Sequence, residues 1–378
     1  MIPFFTLLLS LLHNPQPAFK AQTIDSTVAI GYGLALGDVD GDGKPDILLA
    51  DQKQFVWYRN GDWKRFVMID SLTRYDNVCI AARDLDGDGK VEVAVGAQWN
   101  PSETADAAAS GSVHYLVRPQ DPTQRWKAVP LYHEPTVHRM RWVRSPEGRY
   151  YLAVLPLHGR GNQKGEGKEV RLLVYRYPDL LQAGKGLDTL PTGMHLTHNF
   201  AVVEENGFAG VYIGGKEGLK RFPLDGQPTA QAIPLASQGI GEVRLGKGAG
   251  NQTFITTIES MHGEEVVVYH LENPAQRLVL DNQVKEGHAL ATADFLGTSS
   301  DQIVAGWRVP NKEGKVGIRI YYKKAPSDTT WVSEWIDESG MACEDLQVMD
   351  LNGDGRLDIV ASGRGTHNLK IYWNQTGR

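Results

Sequence analysis

Asp38-Val-Asp-Gly-Asp-Gly-Lys-Pro-Asp46, running directly into Ile47-Leu-Leu-Ala50, reads as an acidic turn leading into an apolar strand, and the chain contains it three times. The other copies are Asp84-Leu-Asp-Gly-Asp-Gly-Lys-Val-Glu92 before Val93-Ala-Val-Gly96, and Asp350-Leu-Asn-Gly-Asp-Gly-Arg-Leu-Asp358 before Ile359-Val-Ala-Ser362. Starting at 38, 84 and 350, they lie 46 and 266 residues apart. The wider gap divides into five units of about 53 residues, which predicts four degenerate copies between the second and third motifs. Those copies show as strand, turn, strand. They are Arg139 to Val154 turning at Gly148, Phe200 to Ile213 at Asn206-Gly207, Val243 to Ile258 at Gly248 to Asn251, and Leu290 to Trp307 at Gly297 to Ser300. Seven units of this length, with about four strands each, predict an all-β, seven-bladed β-propeller.

Ring closure is legible as well. Arg65 to Ser71, Lys127 to Tyr132, Gln231 to Leu235, Arg277 to Asp281 and Ser333 to Glu338 recur as outer strands, but the sequence stops soon after Lys370-Ile-Tyr-Trp373. Phe19-Lys-Ala-Gln-Thr-Ile-Asp-Ser26 has the same form, so the N-terminal strand is expected to complete the last blade and remove its open edge.

The bulk composition agrees with this reading. A chain of 378 residues with 41 Gly, 14 Tyr and 9 Trp and no long helical period is all-β with short turns. A net charge of -6 without a Lys/Arg stripe excludes a nucleic-acid surface. Ile2 to Leu12 is apolar, too short to span a bilayer, and followed by Asn14-Pro15-Gln16-Pro17, which reads as a signal peptide over residues 1–18 ahead of one propeller over 19–378. Secretion or periplasmic location is expected, with no membrane span. The two cysteines, Cys79 and Cys343, sit in apolar runs and read as small buried hydrophobes.

Oxygen ligands at positions 1, 3, 5 and 9 of each acidic turn suit a hard cation, Ca²⁺ or Mg²⁺. The ligand sets are Asp38, Asp40, Asp42 and Asp46; Asp84, Asp86, Asp88 and Glu92; and Asp350, Asn352, Asp354 and Asp358. These turns resemble the FG-GAP or VCBS repeat of integrin-like propellers. That resemblance implies calcium held for stability and no chemistry in the turns.

A propeller's inner strands begin at one face, to which the connections between second and third strands return, while the acidic turns lie on the other. Setting aside His13, this places eight of ten histidines on a single face. His138, His198 and His288 precede or open inner strands, with His133 and His195 just upstream, and His158, His262 and His367 fall in return loops; His114 and His270 lie within strands. Glu134, Glu242 and Glu344 join them from the blade starts, and Trp99, Arg160, Trp307, Arg308 and Arg364 from the return loops. Imidazole with carboxylate suits Zn²⁺ or a similar transition metal, expected on His138, His198 and His288; Arg160, Trp307, Arg308, His133 and His262 suit an oxygen-rich ring such as a sugar.

His133-Glu-Pro-Thr-Val-His138-Arg139, Pro156-Leu-His158-Gly-Arg160-Gly161, Thr197-His198-Asn199, Glu286-Gly-His288 and Ala361-Ser-Gly-Arg364-Gly-Thr-His367-Asn368 resemble the propeller domain of the aldos-2-ulose dehydratase family. The resemblance implies a metal in the propeller cleft and elimination of water from a keto-sugar. Fungal members carry cupin domains after the propeller and none follows here, so substrate and product are not carried over. On the residues alone, the metal would polarise a sugar ketone, His158 or Glu344 would take the adjacent proton, and His367 or Arg364 would protonate or hold the departing oxygen. The expected function is therefore a carbon–oxygen lyase acting on a keto-sugar or 3-keto-glycoside, with a small molecule or oligosaccharide as partner. The alternatives are a polysaccharide lyase acting on uronic acids, with a long open groove, and a non-catalytic integrin-like binding propeller, whose top would be poor in titratable groups.

Overall fold

The structure, a computed structural model, describes residues 15–162, 164–205, 207–224 and 229–377. Among these residues the strands form seven four-stranded antiparallel sheets. The inner strands are Gly33–Gly37, Cys79–Arg83, Val137–Arg144, Thr197–Glu205, Glu242–Lys247, Gly287–Ala293 and Cys343–Met349, and we number blades 1 to 7 in that order. Each degenerate unit becomes a blade. The second strands, such as Asp46–Ala50, Glu92–Ala97 and Gln302–Trp307, are buried along their whole length, because neighbouring blades cover both of their faces. Their continuous apolar runs follow from that two-sided burial, which removes the alternation of a half-exposed strand.

The cores lie between blades. Trp57, Met68, Val93, Val95 and Trp126 fill the gap between blades 1 and 2. Phe254, Val266, Ile303 and Tyr321 do the same between blades 5 and 6.

Blade 7 closes as the sequence predicts. Phe19–Asp25 runs antiparallel to Asn368–Asn374, with Phe19 opposite Asn374, giving a sheet built from both ends of the chain. The outer strand of blade 3, Leu187–Pro191, is an additional one that the outer-strand pattern does not pick out. The signal-peptide expectation falls, as far as residue 14, outside the described residues. No helix among the described residues is long and apolar enough to cross a membrane.

Candidate functional site

The inner strands of blades 1, 2 and 5 pair with their second strands in unbroken register, whereas those of blades 3, 4, 6 and 7 each carry a β-bulge near the start. The residues left out of the ladder are His138, His198 with Asn199, His288, and Glu344. A bulge inserts a residue, re-aims its side chain and releases its main-chain groups from pairing. Here the released carbonyls are used at once. His138 Nδ1 donates to His198 O at 2.9 Å, and His288 Nδ1 donates to Glu344 O at 2.5 Å. His198 Nδ1 donates to Gly241 O at 2.9 Å and lies 3.2 Å from Glu242 Oε1. Each ring is thereby fixed with its proton on Nδ1 and its Nε2 lone pair free, the tautomer that a metal-ligating histidine takes.

His262 completes the group. It stands on the loop joining the second and third strands of blade 5, its ring turned inward with Nε2 2.6 Å from His198 Nε2. Ring nitrogens of His198, His262 and His288 all lie within 4.8 Å of one another. The loop is held tightly: a Cβ on Gly263 would meet Glu259 O at 1.6 Å and one on Gly241 would meet Met261 O at 1.7 Å. Gly287 N donates to Gly263 O at 3.0 Å, tying this loop to the residue before His288. Below it, the buried Glu259 accepts from Thr257, Tyr269 and Arg277. Desolvation, then the positive groups around it, hold His262 down at about 2, and burial holds His288 and His138 well below the ordinary imidazole value, so all three are neutral and able to ligate.

His138 sits beside this trio. Its ring lies 4.8 Å from that of His198 and stacks on Trp99 at 5.0 Å. The residue that joins the trio in its place, His262, is one the sequence reading assigned to substrate. Around the rings, Arg139 approaches His288 Nε2 at 3.4 Å and disfavours a cation, while Glu242 offsets it. Burial would raise the Glu242 carboxyl, but His198, Arg244 and Arg139 together hold it at about 2. Asn199 donates to its other oxygen at 2.7 Å. Arg139, Asn199 and Glu242 thus belong to the cluster although none stood among the expected ligands, and their adjacency to His138, His198 and blade 5's first inner-strand position is the signal that was available.

Glu344 lies against the same group. Arg308 and Arg364 each approach its carboxylate at 3.3 Å, and Arg308 also reaches Glu286 at 2.9 Å and His262 Nδ1 at 3.4 Å. Arg364 covers the Tyr32 ring at 5.5 Å. His367, exposed at the rim, is tied through Nδ1 to the carbonyls of Val28 and Ala29 at 3.1 and 3.0 Å.

Other expected site residues go elsewhere. His158 and Arg160 line a separate cavity of about 490 Å³ on blade 3 with Glu134, which accepts from Arg160 at 2.7 Å and from Tyr132 at 2.6 Å. His133 neighbours His114 of blade 2 and lies beside Glu134 and Arg160. Trp307, expected to face a sugar, is corrected: it is fully buried between blades, 5.2 Å from Trp335, and donates to Lys315 O at 3.2 Å. Every residue of its strand is buried, so alternation could not show which way the indole points.

On the opposite face the three acidic turns share one hydrogen-bond plan. The first Asp caps two glycine amides: Asp38 takes those of Gly41 and Gly43, Asp84 those of Gly87 and Gly89, Asp350 those of Gly353 and Gly355. Asp40, Asp86 and Asn352 accept from Asp42, Asp88 and Asp354, which in turn accept from Lys44, Lys90 and Arg356. The ninth residue points inward, where Asp46, Glu92 and Asp358 accept from Val39, Leu85 and Leu351. Carboxylate oxygens of Asp38, Asp40 and Asp42, and of Asp84, Asp86 and Glu92, lie close enough to share a cation. Blade 6 shows what the ninth position does alone: Gln302 accepts from Leu296 at 2.9 Å in a turn whose Asp294 still caps Thr298 and Ser299.

Residues 13–95 match the model of the FG-GAP-like repeat. No curated protein matches the sequence. Among solved structures, a chain of the mitotic checkpoint complex superimposes with a TM-score of 0.60 at 10% identity, covering 98% of this chain and 96% of that one. BBS1N, solved in complex with ARL6DN, gives 0.59 at 14%, covering 95% and 96%, and streptogramin B lyase gives 0.55 at 10%, covering 94% and 98%. At such identities the likeness is one of fold. The chain is a seven-bladed β-propeller containing an FG-GAP-like repeat.

Proposed function

We propose that the protein is a carbon–oxygen lyase that uses a divalent transition metal on His198, His262 and His288 to eliminate water or an alcohol from a keto-sugar or 3-keto-glycoside. The observation that carries this reading is the set of four bulges, which aim His138, His198, His288 and Glu344 out of their ladders in those blades alone. Three imidazoles suit zinc or a similar ion, and such an ion would supply Lewis-acid polarisation of a ketone oxygen. Glu344 takes the proton from the carbon next to the ketone, and the C–H electron pair becomes the new double bond as the C–O bond beyond it breaks. Arg308 and Arg364 hold the oxygen, which departs with the C–O bonding pair, and His367 at the rim donates a proton to it. Trp99 offers a flat face to the sugar ring. The likeness of the sequence motifs to aldos-2-ulose dehydratase supports this class, and the name of streptogramin B lyase indicates that the fold accommodates lyases.

The test is ultraviolet monitoring for a conjugated enone with 3-keto-glycosides as substrates. Turnover by the wild type and its loss, with loss of bound metal, in His198→Ala is expected. Metal content and turnover both intact in that variant would refute it.

One observation favours a non-catalytic, carbohydrate-binding reading. Arg308 donating to His262, His262 to His198 and His198 to Gly241 O is a complete chain that needs no ion. A wild type that binds sugars without metal and turns over no keto-sugar would establish it.

A further inference from the structure

A cavity of about 790 Å³ opens on the face of the acidic turns, lined mainly by blades 4 and 5 with Arg141 of blade 3 and Thr292 and Asp301 of blade 6. Its walls are the ends of the inner strands and the starts of the second strands, and Arg141, Arg221 and Arg244 all line it. Glu204, Glu205 and Asp301 line it too, but they are engaged by Arg83, Lys247 Nζ and Lys247 N, and the three guanidiniums are left facing the cavity.

The three guanidiniums are poorly matched within the protein. Arg141 donates to Asn199 at 3.3 Å and lies 5.5 Å over Phe200, and neither it nor Arg221 makes an ion pair among the described residues. Arg221 is laid flat on Phe208, 3.7 Å from the ring centroid, with its Nε buried and unbonded. Arg244 donates to Val243 O at 2.7 Å and is 3.5 Å from Glu242, which other groups share. Burial and then the nearness of Arg244 bring Arg141 down to about 10, with Asp345 and Glu242 acting in the opposite direction, so the two cations oppose each other and are only partly offset. An anion placed between them relieves that repulsion, and the guanidinium fork suits a carboxylate.

The rest of the lining narrows the ligand. The cavity is far larger than one inorganic anion requires and suits a disaccharide-sized molecule. Tyr212 adds aromatic surface beside Arg221, and Glu204, Glu205 and Asp301, already engaged by Arg83, Lys247 Nζ and Lys247 N, keep further lone pairs for hydroxyls. We infer that this cavity binds a short uronic acid oligosaccharide, with one carboxylate on Arg141 and Arg244 and the next on Arg221.

Calorimetric titration of the full chain with digalacturonate tests it. Saturable one-to-one binding is expected, weakening as salt is raised and absent for maltose. Arg221→Gln should lower the affinity roughly tenfold and Arg221→Lys should restore part of it, as for a charge-assisted bond. Phe208→Leu, which removes the support under the guanidinium, should weaken binding in the same direction and guards against a folding artefact in the first variant. Metal content and enone formation should not change in Arg221→Gln, so failure here and failure of the lyase reading are separable. No binding of digalacturonate, equal binding of maltose, or equal affinity in Arg221→Gln would overturn the inference. Tighter, Arg221-dependent binding of triglutamate would overturn it in favour of a peptide.

Discussion

At the scale of single residues, buried histidines carry most of what is specific to this chain. His114 lies in the third strand of blade 2 with its Nδ1 buried and unbonded; burial, then the neighbouring His133, lowers it to about 4. A histidine that is harder to protonate in the folded chain than in the unfolded one contributes stability that is full above about 6.5 and lost as pH falls toward 4. His114→Leu should flatten the acid limb of the stability curve over that window, by on the order of 2 kcal/mol, and chemical denaturation at pH 7 and pH 5 measures it. An unchanged difference between the two pH values would contradict this origin of the acid sensitivity. Gly263 supports a second expectation. Any side chain there meets Glu259 O at 1.6 Å, so Gly263→Ala must displace the loop that presents His262. The expected cost is about 1–3 kcal/mol with reduced metal affinity, read by thermal melting and metal titration; a variant with native affinity would show that the loop has room to adjust.

At the scale of elements, the turns and the bulges differ in how far the sequence exposes them. The turn is written in residue types at fixed offsets, so Asp38 to Asp46 can be recognised before any coordinate is known, and the strand runs around it locate degenerate copies that have lost the full set of acids. A bulge has no such signature. Thr197-His198-Asn199 could equally continue a regular ladder, and only the pairing of Thr197 with Gly215 and of Phe200 with Ile213 shows the extra residue. For this reason the blade starts could be gathered on one face from the sequence, while the exchange of His138 for His262 in the trio could not. Gln302 separates two functions within the turn, since a neutral amide there still accepts a main-chain N–H from the start of the turn, that of the third residue, Leu296. Glu92→Gln should therefore leave the melting temperature in chelator nearly unchanged and reduce the rise produced by millimolar Ca²⁺. Differential scanning fluorimetry with and without the ion decides it, and an undiminished rise would exclude Glu92 as a ligand.

At the scale of the whole molecule, the ring depends on one strand that crosses from the N-terminus to the last blade. Phe19–Asp25 covers Asn368–Asn374 with antiparallel pairs from Phe19 to Asp25, and its form matched the outer strands closely enough to be assigned from sequence. Removing residues 1–26 should expose that edge, lower the melting temperature by roughly 10 °C or more and promote self-association, visible by size-exclusion chromatography. A monomer of native stability would mean that the closure contributes little. The outer strand of blade 3, Leu187-Asp-Thr-Leu-Pro191, escaped the same pattern: it opens on an apolar residue where the five recognised from sequence open on Arg, Lys, Gln or Ser.

The ring gathers imidazoles from blades 4, 5 and 6 at its axis, and their capacity to hold an ion is the claim on which the catalytic account rests. Elemental analysis of the full-length wild type and of His262→Ala, purified without chelator and supplied with Zn²⁺, measures it. About one transition-metal ion per chain in the wild type, lost in the variant, is the expected result; a metal-free wild type, or the same metal content in both proteins, would contradict it.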